Sequence, residues 1–546
     1  MFPNLVGSYQ RKKIRHLMRG FRNAFVGQKI DEIRQLESSL LECEITVVPG
    51  LTEKIVFGGL LPKLQILLRQ FLQQQHAGPK LQKALFISLG AKTALIHPMP
   101  VGWQHVLVGS GVITVNRWGS TLLWCALILT HYVRACFLVG RLSISGLMKG
   151  FTSSVTQKQP FVCFLGLKKN NLPNTTDGTQ SYDICSWYSR WKERNLNVKT
   201  LVHDVQGTSP LKLGELQVKY LPQPYASLEN ISQTVRFIGW ALPSLILAFS
   251  SMLMGRWWNV LLFAEAVRAK IVNLASKNSL ATDYFFHFSR DIYRPMWTYV
   301  AEAKGAGIIC YFYSTYAVPT LRSSIDSQKI DWGPSTWPIF LVWDNYHANV
   351  LRRDLGKEIQ IKIVGPVYFS DLAIEVPLHT EQAVAVFDIQ PHRKSLAFGT
   401  STIYEYYYST PMVHRRFLED VYEALSAAGL FMALKAKRDI GAKGEKTYQT
   451  LVNRLVKKED VITLPSGIAA PRLMQACIGA ISSPFTSTAL YFKNQGYPSV
   501  YYDPLGVLYK NDPASHGLTL LNSKAELQDW VDGLTDVKLA NKNYGK

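Results

Sequence analysis

The chain has 546 residues, which is too long for one ordinary domain of about 150 residues. Its hydrophobic content of 47% excludes a chain that is disordered throughout. Lys and Arg number 60 against 39 Asp and Glu, and the formal charge of +21 indicates an anionic partner: nucleic acid, acidic phospholipid or a phosphorylated substrate. No zinc motif, helix-turn-helix pattern or RNP-like strand supports nucleic acid as the partner. The seven cysteines are scattered and form no CxxC pair, so they argue against a disulfide framework and a zinc site and favour a reducing compartment.

Residues 1–150 are predicted to form a basic and apolar accessory region. This region contains an amphipathic segment over 61–75 and a strand-like apolar run over 83–89. Its basic start is not followed by an early apolar core and a cleavage site, so we expect no secretory signal.

Two long apolar segments indicate contact with a membrane. Residues 121–138 contain His131 and Arg134, whereas residues 237–255 carry no charge and are followed by Arg256 and two tryptophans. A membrane-spanning helix needs roughly 20 apolar residues, a length that the second segment only just reaches. A buried or interfacial helix and a true span both stay open. With the positive charge, the pattern predicts a cytoplasmic protein that binds peripherally to the anionic inner face of the inner membrane.

Residues 151–375 are predicted to form a first Rossmann-like domain, which would bind the acceptor. Short apolar strands alternate with helices, and this alternation is typical of an open parallel sheet covered on both faces. The predicted strands cover 161–167, 198–204, 284–288, 308–313, 339–343 and 359–366, and the predicted helices cover 183–194, 295–306 and 345–353.

Residues 376–546 are predicted to form a second Rossmann-like domain, which would bind a nucleotide donor. Its predicted strands cover 383–388, 430–434, 461–464, 480–483 and 499–502, the last of which is expected to close the sheet. The predicted fold class is therefore α/β and GT-B-like: two doubly wound domains facing a cleft, preceded by the accessory region. Ligands of such domains bind outside the carboxyl ends of the strands.

A run of hydroxyl residues in the second domain is the strongest candidate site. It follows an apolar strand and precedes a helix, and its candidate phosphate-binding residues are Ser483, Thr486, Ser487 and Thr488. Hydroxyl groups and free backbone N–H groups at the start of a helix bind anions. The alternative is an ordinary helix cap, which needs only one of these hydroxyl groups.

A cluster of cations follows another strand of the same domain. Lys435, Lys437 and Arg438 are predicted to hold the donor phosphates and to stabilise the leaving group without a metal ion. The alternative is a solvated loop.

Three carboxylates are the candidate catalytic residues. An inverting transfer needs a general base for the acceptor hydroxyl, and Asp204 and Asp283 end or adjoin strands of the first domain. Asp388 ends the first strand of the second domain, where it would orient the donor or cap a turn. A structural role is the alternative for each of them. Since Walker A, Rossmann glycine, G-x-S-x-G, Asp-x-Asp and metal-ligand patterns are all missing, we expect no metal and no cofactor apart from a nucleotide-sugar substrate.

The segment around Pro484-Phe485-Thr486-Ser487 resembles the motif of the polysaccharide biosynthesis PFTS motif family. Further similar segments begin at Tyr293, Val364, Phe387, Lys435 and Tyr501. This resemblance implies a role in bacterial surface polysaccharide biosynthesis, such as capsule or O-antigen. A more distant likeness is to Kdo- and sialic-acid-transferring GT-B enzymes, although the His-Pro pair of those enzymes is missing after Lys435.

Together these features predict a metal-independent, inverting glycosyltransferase. It would use a nucleotide sugar and a glycan or lipid-linked glycan acceptor. Two alternatives remain: a polyol-phosphate transferase on the same fold, and a non-catalytic protein of polysaccharide assembly.

Overall fold

The computed structural model describes individual residues between 12 and 40 and then residues 47–150, 159–173, 183–223, 225–287, 293–312, 314, 335–355, 359–367, 376, 382–393, 408, 410–436 and 440–544. Between residues 47 and 150 the helices are α1 (Leu51–Phe57), α2 (Leu64–Leu72), α3 (Gly78–Ala91), α4 (Val101–Gly109) and α5 (Arg117–Gly150).

The strand predicted over 83–89 is wrong, because these residues lie inside α3. The buried positions Leu81, Leu85 and Ser88 recur every three or four residues, which is the period of a helix and not of a strand. A short continuous apolar run fits either structure when it is read without its neighbours.

The first sheet has eight strands, in the order β3-β4-β2-β1-β5-β6-β7-β8. All neighbours pair in parallel except β3 and β4, which form an antiparallel pair that the sequence did not predict. The strands are β1 (Phe161–Leu165), β2 (Thr200–His203), β3 (Leu211–Leu213), β4 (Leu216–Tyr220), β5 (Asp283–His287), β6 (Gly307–Tyr311), β7 (Ile339–Val342) and β8 (Gln360–Ile363).

The helices described around this sheet are α6 (Ile184–Arg190), α7 (Ile231–Leu253), α8 (Trp258–Leu261), α9 (Phe263–Leu274), α10 (Met296–Ala303) and α11 (Asn345–Leu355). The helices α7, α8 and α9 form the crossover from β4 to β5. They pack together with α1 and α5, and one continuous hydrophobic core joins this helical layer to a face of the first sheet. The accessory helices are therefore built onto the first sheet.

The second sheet is entirely parallel, with the order β11-β10-β9-β12-β13-β14. Its strands are β9 (Ala383–Asp388), β10 (Phe431–Ala436), β11 (Val461–Leu464), β12 (Gly479–Ser482), β13 (Ser499–Tyr502) and β14 (Thr519–Leu521). Its helices are α12 (Pro411–Ala427), α13 (Lys446–Leu455), α14 (Ala470–Met474), α15 (Ser487–Asn494) and α16 (Lys524–Tyr544). The expectation that 499–502 closes the sheet is wrong, since β14 lies outside β13. A strand of three residues is too short to give a clear period in the sequence.

The predicted fold class is confirmed: the protein is α/β and GT-B-like, with two doubly wound sheets in series. The sheets meet where Trp343, which follows β7, packs in one hydrophobic cluster with Phe485 and Tyr501 of the second domain. Beside this cluster, His516 Nδ1 lies 2.9 Å from the carboxylate of Asp344. Residues directly after β7 of the first sheet therefore contact the part of the second domain around β13 and the segment that precedes β14.

Candidate functional site

The second sheet changes its winding direction between β9 and β12. The chain runs from β9 to β10 and β11 on one side and returns to β12, β13 and β14 on the other side. In doubly wound sheets the crevice at this point, outside the carboxyl ends of the strands, is where ligands bind. Asp388 ends β9 and Ser482 ends β12, and Ser482 is the register partner of Phe387. Two polar side chains thus lie beside the crevice.

Asp388 is buried among groups from two helices. The hydroxyl of Tyr448, on α13, donates a hydrogen bond to Asp388 Oδ2, and His414 Nδ1, on α12, lies 3.6 Å from Asp388 Oδ1. Burial and the neighbouring carboxylate raise the pKa of Tyr448, so its hydroxyl stays protonated and donates. Asp388 Oδ1 has no hydrogen-bond partner among the described residues. This carboxylate therefore keeps one oxygen for a further donor.

His414 is a site residue that the sequence did not reveal. It lies in the first turn of α12, a helix whose N-cap is Thr410, and it is buried. Its Nε2 atom has no hydrogen-bond partner in the described part of the chain. The position resembles an ordinary core position of an amphipathic helix, and its partner Asp388 is on a different element. Sequence spacing alone gives no signal for such a pair.

The PFTS segment forms a tight turn at the end of β12. The backbone N–H of Ser483 donates to Phe387 O at 3.0 Å, and Thr486 donates to Ser483 O through its backbone N–H at 3.3 Å and its hydroxyl at 3.0 Å. Phe485 has a φ of 61°, in the left-handed region, and its ring packs on Tyr501. The turn is therefore fixed by hydrogen bonds and by an aromatic anchor.

This turn leaves the start of α15 without a side-chain cap. Thr486 is the N-cap residue, but its hydroxyl does not accept a hydrogen bond from the helix. The first backbone N–H groups of a helix have no intrahelical acceptor, and together they attract anions. Ser482 Oγ and Thr488 Oγ1 are buried and have no hydrogen-bond partner among the residues that the structure describes. Uncapped N–H groups and hydroxyl groups of this kind are donors that a phosphate can accept from.

Lys435 lies on the same face of the second sheet as Ser482. Both are register partners of Phe387, one on each side of β9, so their backbones are about 10 Å apart, two strand spacings. The Lys435 ammonium group donates to Ser466 O at 3.1 Å, and burial lowers the pKa of this lysine to about 8. The other two predicted cations, Lys437 and Arg438, lie outside the described residues.

A second polar group lies at the carboxyl edge of the first sheet. Asp204, directly after β2, accepts a hydrogen bond from the Gly166 N–H through Oδ2 at 3.0 Å, and His287 Nδ1 lies 3.1 Å from Gly166 O. Gly166 follows β1 with a φ of 78°, which a glycine adopts without strain. Burial lowers the pKa of His287 to about 4, so this ring is neutral. Asp204 Oδ1 has no hydrogen-bond partner among the described residues.

The structure does not bring the three candidate carboxylates together. Asp204 and Asp388 lie at the carboxyl edges of the first and second sheets, whereas Asp283 begins β5 and lies at the opposite edge of the first sheet. The Asp283 side chain packs close to Gly307, and burial raises its pKa. Within the described ranges, no group of three or more His, Cys, Asp or Glu side chains is arranged to hold a metal ion.

The sequence profile described as "Polysaccharide biosynthesis PFTS motif protein" matches residues 241–531. No curated protein matches by sequence. Among solved structures, the chain is similar to the wall teichoic acid polymerase TagF, with 10% identity, a TM-score of 0.35 and coverage of 76% of this chain and 90% of that one. It is also similar to the apo form of the lipopolysaccharide outer core galactosyltransferase WaaB, with 10% identity, a TM-score of 0.33 and coverage of 68% and 88%. A third similar structure is UDP-GlcNAc 2-epimerase from Methanocaldococcus jannaschii, with 9% identity, a TM-score of 0.27 and coverage of 50% and 74%.

Proposed function

Since the chain belongs to the polysaccharide biosynthesis PFTS motif family, we propose that it is a glycosyltransferase of bacterial surface polysaccharide biosynthesis. Its substrates are a nucleotide-activated sugar and a glycan or lipid-linked glycan acceptor. The protein acts in the cytoplasm, bound peripherally to the inner face of the inner membrane.

The observation that carries the proposal is the set of polar groups around the crevice between β9 and β12. Ser482 Oγ, Thr488 Oγ1, Asp388 Oδ1 and His414 Nε2 are all buried without a hydrogen-bond partner among the described residues. Leaving buried polar groups unsatisfied costs about 1–3 kcal/mol each, and a ligand rich in hydroxyl and phosphate groups offsets this cost. A nucleotide sugar is such a ligand.

The polar groups on the two faces of the second sheet would bind different parts of the donor. The uncapped start of α15, with Thr488, binds the phosphate groups, and Lys435 adds a positive charge on the same face of the sheet. Asp388 and His414, on the other face, accept and donate hydrogen bonds to the hydroxyl groups of the ribose or the sugar. Lys437 and Arg438 follow Lys435 in the sequence and stay predicted cations of this site.

The proposed reaction inverts the configuration at the anomeric carbon. The acceptor hydroxyl attacks this carbon, the new glycosidic C–O bond forms, and the C–O bond to the donor phosphate breaks. Asp204 takes the proton of the acceptor hydroxyl through Oδ1, since its Oδ2 is held by the Gly166 N–H. The nucleotide leaves with the bonding electrons, and the start of α15 and Lys435 stabilise its negative charge. The protein's own cations and N–H groups perform this step, so the mechanism needs no metal ion.

A thermal-shift measurement against a panel of nucleotides tests the donor site. At 100 times its dissociation constant a bound nucleotide adds about 2.7 kcal/mol to the free energy of unfolding. We expect one nucleotide class to stabilise the wild type and Thr488→Ala to weaken its binding about ten- to a hundredfold, because a hydrogen bond to a charged group contributes about 1.5–3 kcal/mol.

Thr450→Ala is the matched control, because the Thr450 hydroxyl is exposed on α13 and donates only to the backbone of its own helix. This control should bind as the wild type does. If no nucleotide stabilises the wild type, or if Thr488→Ala binds with wild-type affinity, the donor site is elsewhere. Stabilisation by a CDP-alditol and not by nucleotide sugars would point to polyol-phosphate transfer, which a phosphodiester signal in the product's phosphorus NMR spectrum would establish.

A further inference from the structure

Helix α7 exposes many apolar side chains. Its buried face combines apolar residues, such as Phe237 and Leu245, with Thr234, Ser244 and Ser251. Its exposed residues include a few polar ones and a larger apolar group: Val235, Leu242, Ile246, Phe249 and Leu253. Surface helices of water-soluble proteins carry mainly polar residues on the outside. The exposed face of α7 is therefore built for an apolar environment.

Helix α5, which packs beside α7, has a similar exposed face. Its outer side chains include Trp118, which is 90% exposed, and then Leu122, Leu129, Val133, Phe137, Ile144 and Met148. An open groove of about 920 Å³ runs along this helix from Tyr132 to Met148. Together the exposed faces of α5 and α7 form one apolar surface, which we name the α5/α7 surface.

Both helices are long and apolar enough to cross a membrane, and so is the stretch Leu51–His76. The packing of α7 indicates a different arrangement, because the body of the protein covers its inner face along its length. Ser251 Oγ donates to Thr52 Oγ1 at 2.9 Å, and Trp240 donates to Ile55 O at 3.0 Å and stacks on Phe263. Because α7 packs along this side onto helices that share one core with the first sheet, only its other side can face lipid, and we expect it to lie in the plane of the membrane.

The charges around this surface identify the partner. Residues 54–176 contain 13 Lys and Arg and no Asp or Glu, although acidic residues are common in the rest of the chain. Arg117, Arg134 and Arg141 are exposed on α5 beside its apolar side chains. A surface that is apolar at its centre and only positive at its margins is complementary to a bilayer that contains anionic lipids. A second copy of the same surface would place like charges against each other.

We propose that the α5/α7 surface inserts in the plane of an anionic bilayer, to the depth of the boundary between head groups and acyl chains. This inference rests on the membrane location in the proposed function and deepens it, since it names the surface, its orientation and the lipid class. The acceptor lipid and the protein then share one interface, and the first sheet is held beside it through the continuous core that joins it to α5 and α7.

Vesicle flotation of the full-length protein tests this proposal without any donor or acceptor. We expect the wild type to float with phosphatidylcholine vesicles that contain phosphatidylglycerol, and much less with phosphatidylcholine alone. The double variant Leu242→Glu/Ile246→Glu places two charges on the α5/α7 surface and should reduce binding about tenfold or more. The charge variant Arg134→Glu/Arg141→Glu should weaken binding to the anionic vesicles selectively.

The double variant Leu196→Glu/Ile363→Glu is the matched control, because both side chains are exposed and apolar but lie outside the α5/α7 surface. It should float as the wild type does. The proposal is overturned if the wild type does not bind anionic vesicles, or if Leu242→Glu/Ile246→Glu binds as well as the control. It is also overturned if the α5/α7 surface instead joins two copies, seen as a dimer that this variant splits and that does not float. Nucleotide binding by the same variants is measured separately, so loss of vesicle binding and failure of the proposed transferase function are distinguishable.

Discussion

Asp204 is the residue on which the proposed chemistry depends most. One carboxylate oxygen is held by the Gly166 N–H and the other has no hydrogen-bond partner among the described residues. A base that is oriented through one oxygen can use the other to accept a proton. Asp283 has a similar position in the sequence, at the boundary of a strand, but lies at the amino edge of the sheet. The two candidates therefore differ in the edge of the sheet at which they lie: Asp204 is at the carboxyl edge, where ligands bind, and Asp283 is at the amino edge.

Asp204→Asn should reduce the rate of transfer about 10²–10⁴-fold, because an amide can still accept from the Gly166 N–H but cannot take a proton. Nucleotide binding should be unchanged in this variant, and a steady-state assay together with a thermal-shift titration measures both properties. Asp283→Asn is the comparison and should keep transfer activity. An inactive Asp283→Asn beside an active Asp204→Asn would contradict the assignment of the base.

Lys435 should give donor binding a dependence on pH. Since burial lowers the pKa of Lys435 to about 8, the ammonium group is charged below this pH and neutral above it. The affinity for an anionic nucleotide should therefore be steady near neutral pH and fall as the pH rises through about 8. Lys435→Met should bind more weakly at neutral pH and show no such fall, whereas Lys457→Met, at an exposed position, should keep it. Calorimetric titration at a series of pH values makes the comparison.

At the scale of elements, the strands of the second sheet were the easiest to predict. The strands observed at Ala383–Asp388, Val461–Leu464 and Ser499–Tyr502 have the predicted boundaries, because each is a short apolar run between turn or polar residues. The strands β3, β4 and β14 were missed, and the apolar run in α3 was assigned to the wrong structure. β3 and β14 have only three residues and are too short to show a period. β4 has five residues that alternate between the two faces of the sheet, so its sequence does carry the signal of a strand.

For a related reason, only part of the candidate site could be predicted from the sequence. The PFTS turn and Lys435 are each next to a strand end, so sequence order already placed them at the carboxyl edge. The pairing of Asp388 with His414 and Tyr448 depends on how α12 and α13 pack on β9. Such contacts between elements arise from tertiary packing, which spacing along the chain does not encode.

The hydrogen bond from Tyr448 to Asp388 fastens α13 to the end of β9. Tyr448→Phe should lower the free energy of unfolding by about 1–3 kcal/mol, because it leaves a buried carboxylate oxygen without its donor. Tyr422→Phe is the comparison, since its hydroxyl donates to Asp460 at 3.3 Å in a partly exposed position, and it should cost about 0.5 kcal/mol or less. Urea denaturation measures both changes. Equal effects would show that the buried pair has no special structural importance.

At the scale of the whole molecule, the contact between the two domains contains a buried cluster of ionisable groups. Burial acts to raise the pKa of Asp344, but the hydrogen bond and the charge of His516 outweigh it and lower this pKa. His347, beside them, has its pKa lowered to about 3 by burial and by the charge of His516. Lys493 donates to His516 O at 2.7 Å, which ties α15 to the same contact. The helix of the proposed phosphate site is thus connected to the domain interface.

A double-mutant cycle over Asp344→Asn and His516→Gln measures the strength of this contact. Because the two side chains hydrogen-bond directly, their effects on the free energy of unfolding should differ from additivity by about 0.5–3 kcal/mol. Differential scanning calorimetry at neutral pH supplies the values. Additive effects would mean that Asp344 and His516 do not stabilise the interface together.

Mass spectrometry of the acceptor tests most directly whether the protein transfers a sugar from a nucleotide to a glycan acceptor. Purified protein is incubated with extracted lipid-linked glycans and the nucleotide sugar whose nucleotide gives the largest thermal shift, with a chelator present. We expect the acceptor to gain the mass of one sugar residue, free nucleotide to be released in equal amount, and Asp204→Asn to slow both about 10²–10⁴-fold. An acceptor of unchanged mass despite bound nucleotide, or a mass gain that contains phosphorus, would contradict sugar transfer by this protein.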